Sequence, residues 1–241
     1  MAEFSSKTIT FFRQLARNND RDWFIAHKGA YEEQVKMPML ELVEGINRDL
    51  AKFAVDHVSN PKRALYRIHR DTRFSKDKTP YKSHQAAMFG HARLPKNYCA
   101  GFYFSISHTE IEIAGGLYMP EPDQLAAVRK ELIARTAAWK KLIGDRSLLR
   151  LMGPLRGAKL ARPPKGYDPG HPSIEWVQMK QFYFGTTLKP AMVTAPSLRR
   201  EIVRRFKAMT PVVNFLNRAI IAALPREEES DPGLRRPAPM F

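Results

Sequence analysis

The stretch CAGFYFSISHTEIEIAGGLY, residues 99–118, decides the fold. Phe102, Phe104 and Ile106 alternate with Tyr103, Ser105 and Ser107, and beyond His108 and Thr109 the same period returns as Ile111 and Ile113 around Glu112. Alternation of period two marks strands, and a short polar link between two such runs marks a hairpin. Residues 99–107 and 110–118 are therefore expected to be antiparallel neighbours.

Reading outward, residues 84–89 and 177–188 also scan as strands, and so do residues 65–72. In the last of these, Tyr66, Ile68 and Arg70 share one face, and Arg67, His69, Asp71 and Arg73 the other. The flanks are helical. Phe11, Phe12 and Leu15 give residues 8–17 an apolar face. Trp23, Phe24, His27, Tyr31 and Val35, then Leu42, Ile46, Leu50 and Phe53, recur at helical steps with a kink or break expected at Pro38. Pro122 opens a central helix whose stripe is Leu125, Val128, Leu132 and Trp139, with Gly144 as its cap. Residues 153–175 read as a long irregular connection. Residues 196–209 and 211–223 read as two amphipathic helices separated at Pro211. Helices, then successive strands, then helices predict an α+β fold: one mainly antiparallel sheet of about five strands, packed with N-terminal, central and C-terminal helices. A single domain is expected over residues 1–224, with a disordered polar tail over 225–241.

The 241 residues carry Lys+Arg 40 against Asp+Glu 24, a net charge of +16. Half of that excess lies in residues 61–100, which hold ten basic and two acidic side chains. Such a balance fits nucleic acid, an acidic surface or a phosphorylated small molecule as partner. One cysteine, Cys99, excludes an internal disulfide framework and a Cys-rich zinc site, and is expected to be a buried small hydrophobe. No apolar run approaches the ~18 residues of a membrane span, and MAEFSSKTITFF does not scan as a secretory signal. The expectation is a cytoplasmic protein without membrane insertion.

The segment HRDTRFSKDKTPYK, residues 69–82, concentrates the chemistry. Arginine offers a planar fork for phosphate or carboxylate, and lysine a mobile point charge. Arg70, Arg73, Lys76, Lys78 and Lys82 can therefore clamp an anion, with Lys165 and Lys180 completing the shell. Arg70, placed inward by alternation, needs a partner, which is either such a ligand or an internal carboxylate such as Asp71 or Asp77. His69-Arg70-Asp71 is not a kinase loop, because Lys76 stands where the metal-binding Asn belongs. His69 and Asp71 are the candidate acid or base. His108, Glu110 and Glu112 share a face if their strand is regular, a metal-binding reading set against a simply solvated face. No nucleotide-loop, dinucleotide, zincin or hydrolase motif is present, so no cofactor is indicated. Gly115-Gly116 marks a bulge or close packing.

Asn18-Asn19 followed by Trp23-Phe24, RDTRFSKDKTPYK at 70–82, GGLYMPEPDQLAAVR at 115–129, PKGYDPGHP at 164–172 and Lys180-Gln181-Phe182 together resemble the conserved hypothetical proteins labelled domain of unknown function 2461. The resemblance runs from about Phe11 to Leu216. It implies one domain spanning these motifs and brings no activity, cofactor or catalytic residue with it. The residues themselves support two functions. One is an anion-binding, phosphate-recognising site, extending to an enzyme acting on a phosphorylated metabolite. The other is a non-catalytic nucleic-acid surface formed by residues 61–100 and the arginine-rich C-terminal helix.

Overall fold

The computed structural model describes residues 4–95 and 98–224, so the expected tail over 225–241 lies outside the described residues. The chain opens with α1 (Ser6–Arg17), whose Phe11, Phe12 and Leu15 are buried. Asp20 caps α2 (Arg21–Ala26) by accepting from the Trp23 N–H at 2.8 Å. Then come α3 (Lys28–Tyr31), a π-helical turn (Glu32–Lys36) and α4 (Met37–Leu50). The break expected at Pro38 takes the form of that wide turn. In a regular helix the N–H of residue 38 would serve the Gln34 carbonyl, and proline has none. The buried Thr8 hydroxyl donates to that carbonyl instead, at 2.7 Å.

After α5 (Pro61–Ala64) the sheet begins. It consists of β1 (His84–Phe89), β2 (Gly101–Ser107), β3 (Ile111–Leu117) and β4 (Phe182–Leu188), in the order β1-β2-β3-β4 and antiparallel throughout. The Ser107 N–H donates to the Glu110 carbonyl across the expected hairpin at His108 and Thr109. Residues 65–70 run beside β1 as expected but form no fifth strand. Two bridges, Leu65 to Ala87 and His69 to Tyr81, enclose four residue steps on one arm and six on the other. Two extra residues therefore bulge out of the β1 arm, and the Gln85 side chain, not a ladder donor, satisfies the Tyr66 carbonyl.

Between β3 and β4 lie α6 (Pro122–Ala134), α7 (Thr136–Ile143, ending at Gly144), α8 (Arg146–Met152), a long connection and α9 (Ile174–Val177). The last element, α10 (Leu198–Ala222), is one helix where two were expected. Its stripe of Ile202, Phe206, Met209, Val213 and Leu216 is continuous across Pro211 and buried. Packing against β2 and β3 outweighs the one hydrogen bond the proline removes. The core fills a single side of the sheet, where Phe89, Phe102, Phe104, Ile113, Phe182 and Phe184 meet Phe206 and its neighbours. Among the described residues no helix is long and apolar enough to cross a membrane.

Candidate functional site

Register fixes what faces the other way. On that side Ala86 stands opposite Ser105, Ser105 opposite Glu112, and Glu112 opposite Thr187; one step along, Tyr103, Ala114 and Gly185 form the next row. The third row is Gly101, Gly116 and Tyr183. This face is a cleft of about 740 Å³, bounded at the β1 edge by Tyr66, Lys82 and His84 and at the β4 edge by Arg156. Arg156 is held there by main-chain bonds to Tyr183 in both directions, 2.7 and 3.1 Å.

The frame that positions Lys82 starts one residue earlier. The Asn19 side chain accepts from the Tyr81 N–H at 3.0 Å and donates to the Tyr81 carbonyl at 2.9 Å. Phe24 stacks on the Tyr81 ring, centroids 4.1 Å apart. Lys82 then enters the β1 bulge. Its Nζ donates to the Arg67 carbonyl at 3.1 Å and lies 5.3 Å from the centre of the Tyr66 ring. Burial and the nearby Arg67 charge push the Lys82 pKa down; burial and Lys82 do the same to His84. Lys82 and Arg67 thus make this corner positive and repel one another, and a bound anion would favour both Lys82 and a protonated His84. At the centre of the cleft, burial and Glu110 raise the Glu112 pKa against the opposing pull of Arg156. Burial carries Tyr103 up to about 12, and raises Tyr66 as well.

Of the residues expected to clamp an anion, Lys82 alone lines this cleft. Arg70 pairs with Asp77 and Thr79 of its own loop, and Asp77 is held down to about 2 by the Thr79 N–H and by Arg70. Arg73 grips Asp71 through two hydrogen bonds, 3.0 and 2.7 Å. Lys78 donates to the Thr72 carbonyl at 2.9 Å, and Lys76 is exposed at the tip. Lys165 and Lys180 are exposed too. Lys180 precedes β4 at the Phe182 end, whereas the basic loop precedes β1 at the His84 end. Three strand spacings, roughly 14 Å, and the length of the strands lie between them. The reach expected of Lys180 is therefore not available. His69 packs on Tyr81 at the surface, and Asp71 is taken by Arg73, so neither candidate acid or base enters the cleft.

His108 sits in the hairpin turn and not in a strand, which separates it from Glu112. Among the described residues no three His, Cys, Asp or Glu side chains are grouped to hold a metal. Arg199 faces Asp49, and Arg204 and Arg205 both face Glu201, so part of the C-terminal helix's positive charge is answered within the fold. His84 and Arg156 were not singled out from the sequence as site residues, and the aromatic run of β2 and β4, Tyr103 and Tyr183 included, could suggest base stacking but reads mostly as core. A signal existed: the face that alternation assigns to solvent carries Ala114, Gly116 and Gly185 where polar side chains belong.

These features define an α+β protein with a four-stranded antiparallel sheet, helices over one face and an aromatic, cation-edged cleft on the other. The chain belongs to the family described as conserved hypothetical protein (DUF2461), which matches residues 7–215. A comparison with curated proteins gives no match.

Proposed function

We propose that the protein binds an anionic small molecule, carrying a phosphate or a comparable group, in the cleft of the open sheet face. The anion meets Lys82 and His84 at the β1 edge. The observation that carries this reading is the Lys82 corner itself: two basic groups held together, partly desolvated, at the rim of a cleft of ligand size. The hairpin tip over residues 70–80, at the same end of β1, adds a positive field that steers anions inward. A cytoplasmic setting suits this reading, since the one cysteine is a buried free thiol. Catalysis on a phosphorylated metabolite is an extension of the same reading, with Glu112 and Tyr103 as the groups nearest a bound molecule.

Titration of the full chain with inorganic phosphate and ribose 5-phosphate tests it. Lys82→Gln should weaken binding at least fivefold. Arg73→Gln, which removes a guanidinium already held by Asp71 and touches only the outer field, should change it less than twofold. The reverse order would move the site to the loop tip. The nucleic-acid reading has less support, because Asp49 and Glu201 already answer Arg199, Arg204 and Arg205 of the C-terminal helix. Tight, steeply salt-dependent binding of single-stranded RNA or DNA, with none of phosphate, would reinstate it.

A further inference from the structure

Beyond its cationic corner, the cleft has a second half that an anion alone would leave empty. There the floor is made by Ala114, Gly116 and Gly185, and Tyr103 and Tyr183 rise beside it from β2 and β4. Each of these tyrosines is braced by another. Tyr66 lies 6.5 Å from Tyr103, and Tyr118 meets Tyr183 edge-on at 5.1 Å. Two aromatic walls are thus held in place before any ligand arrives, which lowers the cost of binding.

The floor is bare for more than one reason. Gly116 has φ +128°, and a Cβ on it would collide with the Phe182 carbonyl, so the fold itself demands glycine there. Gly185 is different. A Cβ on it would meet only Nη1 of Arg156, at 3.7 Å, and φ at this position is not in the left-handed region. Nothing within the protein requires Gly185 to lack a side chain, although glycine weakens a strand. A close approach from outside would account for it. Nη1 of Arg156 comes within 3.7 Å of where that Cβ would stand, and the guanidinium makes no hydrogen bond to another described residue. It leaves a planar cation beside the bare floor, at the β4 edge. Glu112, one row away on the same face, offers a carboxylate oxygen to the cleft.

We propose that the anion bound by this cleft carries a planar ring, as a mononucleotide does, with the ring seated over Ala114 and Gly185 between Tyr103 and Tyr183. This rests on the anion reading above and adds the class of ligand. The β1 edge, with Lys82, and the Ala114 floor are separated by about two strand spacings, roughly 10 Å, which a sugar phosphate bridges. The ring gains stacking on tyrosine and on the guanidinium plane, and its polar edge meets Arg156 and Glu112.

Isothermal titration of the full chain with adenosine 5′-monophosphate, ribose 5-phosphate and adenosine separates the two claims. The expected result is that the monophosphate binds at least tenfold tighter than either fragment. Tyr183→Leu should lower its affinity at least fivefold and leave ribose 5-phosphate unchanged, whereas Tyr183→Phe should retain it. Gly185→Leu, which fills the seat where the fold leaves room, should abolish the advantage of the ring. Equal affinity for the monophosphate and ribose 5-phosphate overturns the ring seat and leaves the anion site standing. Equal affinity for adenosine and the monophosphate overturns the anion site instead. Absence of binding by all three overturns both.

Discussion

The Asn19 side chain makes the two main-chain hydrogen bonds of Tyr81, accepting at 3.0 Å and donating at 2.9 Å, as a neighbouring strand would. It ties the turn between the first two helices to the foot of the basic hairpin, sixty-two residues later. Asn217 does the same for Ala100 at the start of β2, with 2.9 and 3.0 Å. Asn19→Ala leaves a donor and an acceptor of Tyr81 without protein partners, and should cost about 1–3 kcal/mol of stability. Because Lys82 follows Tyr81, the same variant should also weaken phosphate binding. Denaturant unfolding measures the first effect and titration the second. A variant as stable as the parent would mean that water replaces the amide in full.

On the anion reading, His84 should set the pH dependence of binding. Burial and Lys82 hold its pKa below the ordinary imidazole value of 6.5, so the free protein carries it neutral at pH 7. An anion favours the protonated ring, and binding must therefore tighten as pH falls below that value. Sulfate is the suitable probe, since its charge is constant between pH 8 and 5. Its affinity should rise across that range in the parent and stay level in His84→Gln. A parallel rise in both proteins would assign the effect to another group.

The strands of the central hairpin were legible because one face is buried against α10 and the other is not, which writes period two into Phe102–Ile113. The edge segment misled for a local reason. Tyr66, Ile68 and Arg70 do alternate, but pairing with β1 is interrupted by the bulge that carries Lys82 and His84, and alternation cannot register two extra residues on the opposite arm. Pro211 misled because a single missing hydrogen bond is weak against an apolar stripe that continues past it. Arg70 and Arg73 read as ligand groups because sequence shows charge without showing who answers it. Asp77 and Asp71, both within reach in the same loop, were the alternative left open. The cleft was hidden for a different reason. Tyr103, Glu112, Gly185 and Arg156 come from three strands and a loop, and only register brings them together.

Two glycines on the same sheet face should respond in opposite ways to alanine. At Gly116 the added methyl collides with the Phe182 carbonyl and the backbone is left-handed, φ +128°. Strain and displacement of β4 together should cost upwards of about 2 kcal/mol. At Gly185 the methyl meets only the tip of a flexible arginine, and removing glycine from a strand reduces the entropy lost on folding. Gly185→Ala should be within about 0.5 kcal/mol of the parent or more stable. Thermal unfolding of the two variants side by side checks this; a comparable loss at both positions would show that Gly185 is bare for structural reasons, against the seat proposed above it.

Acid stability should depend on a histidine far from the cleft. His57 is 1% exposed, and burial pushes its pKa down to about 4, despite the pull of the Phe89 carbonyl. Since that carbonyl can only accept, Nδ1 at 3.2 Å carries the proton, and Nε2 is left buried with no partner. His91, Phe102 and Asp56 surround it: the His91 ring stands perpendicular at 5.4 Å, the Phe102 ring lies at 4.9 Å, and Asp56 faces His91. Protonating Nε2 in this setting means burying a charge. The sign follows from which state takes the proton first. Above pH 6.5 both folded and unfolded chains hold a neutral ring, and the group contributes no pH dependence. Between pH 6.5 and about 4 the unfolded chain is protonated while the folded one resists, so stability falls as pH falls, by roughly 3 kcal/mol across the window. His57→Gln keeps a donor for Phe89 and cannot titrate. Its stability at pH 7 should be lower than the parent's, yet its loss between pH 6.5 and 4.5 should be smaller by most of that amount. Identical pH slopes for the two proteins would place the acid sensitivity on carboxylates or on His91 alone.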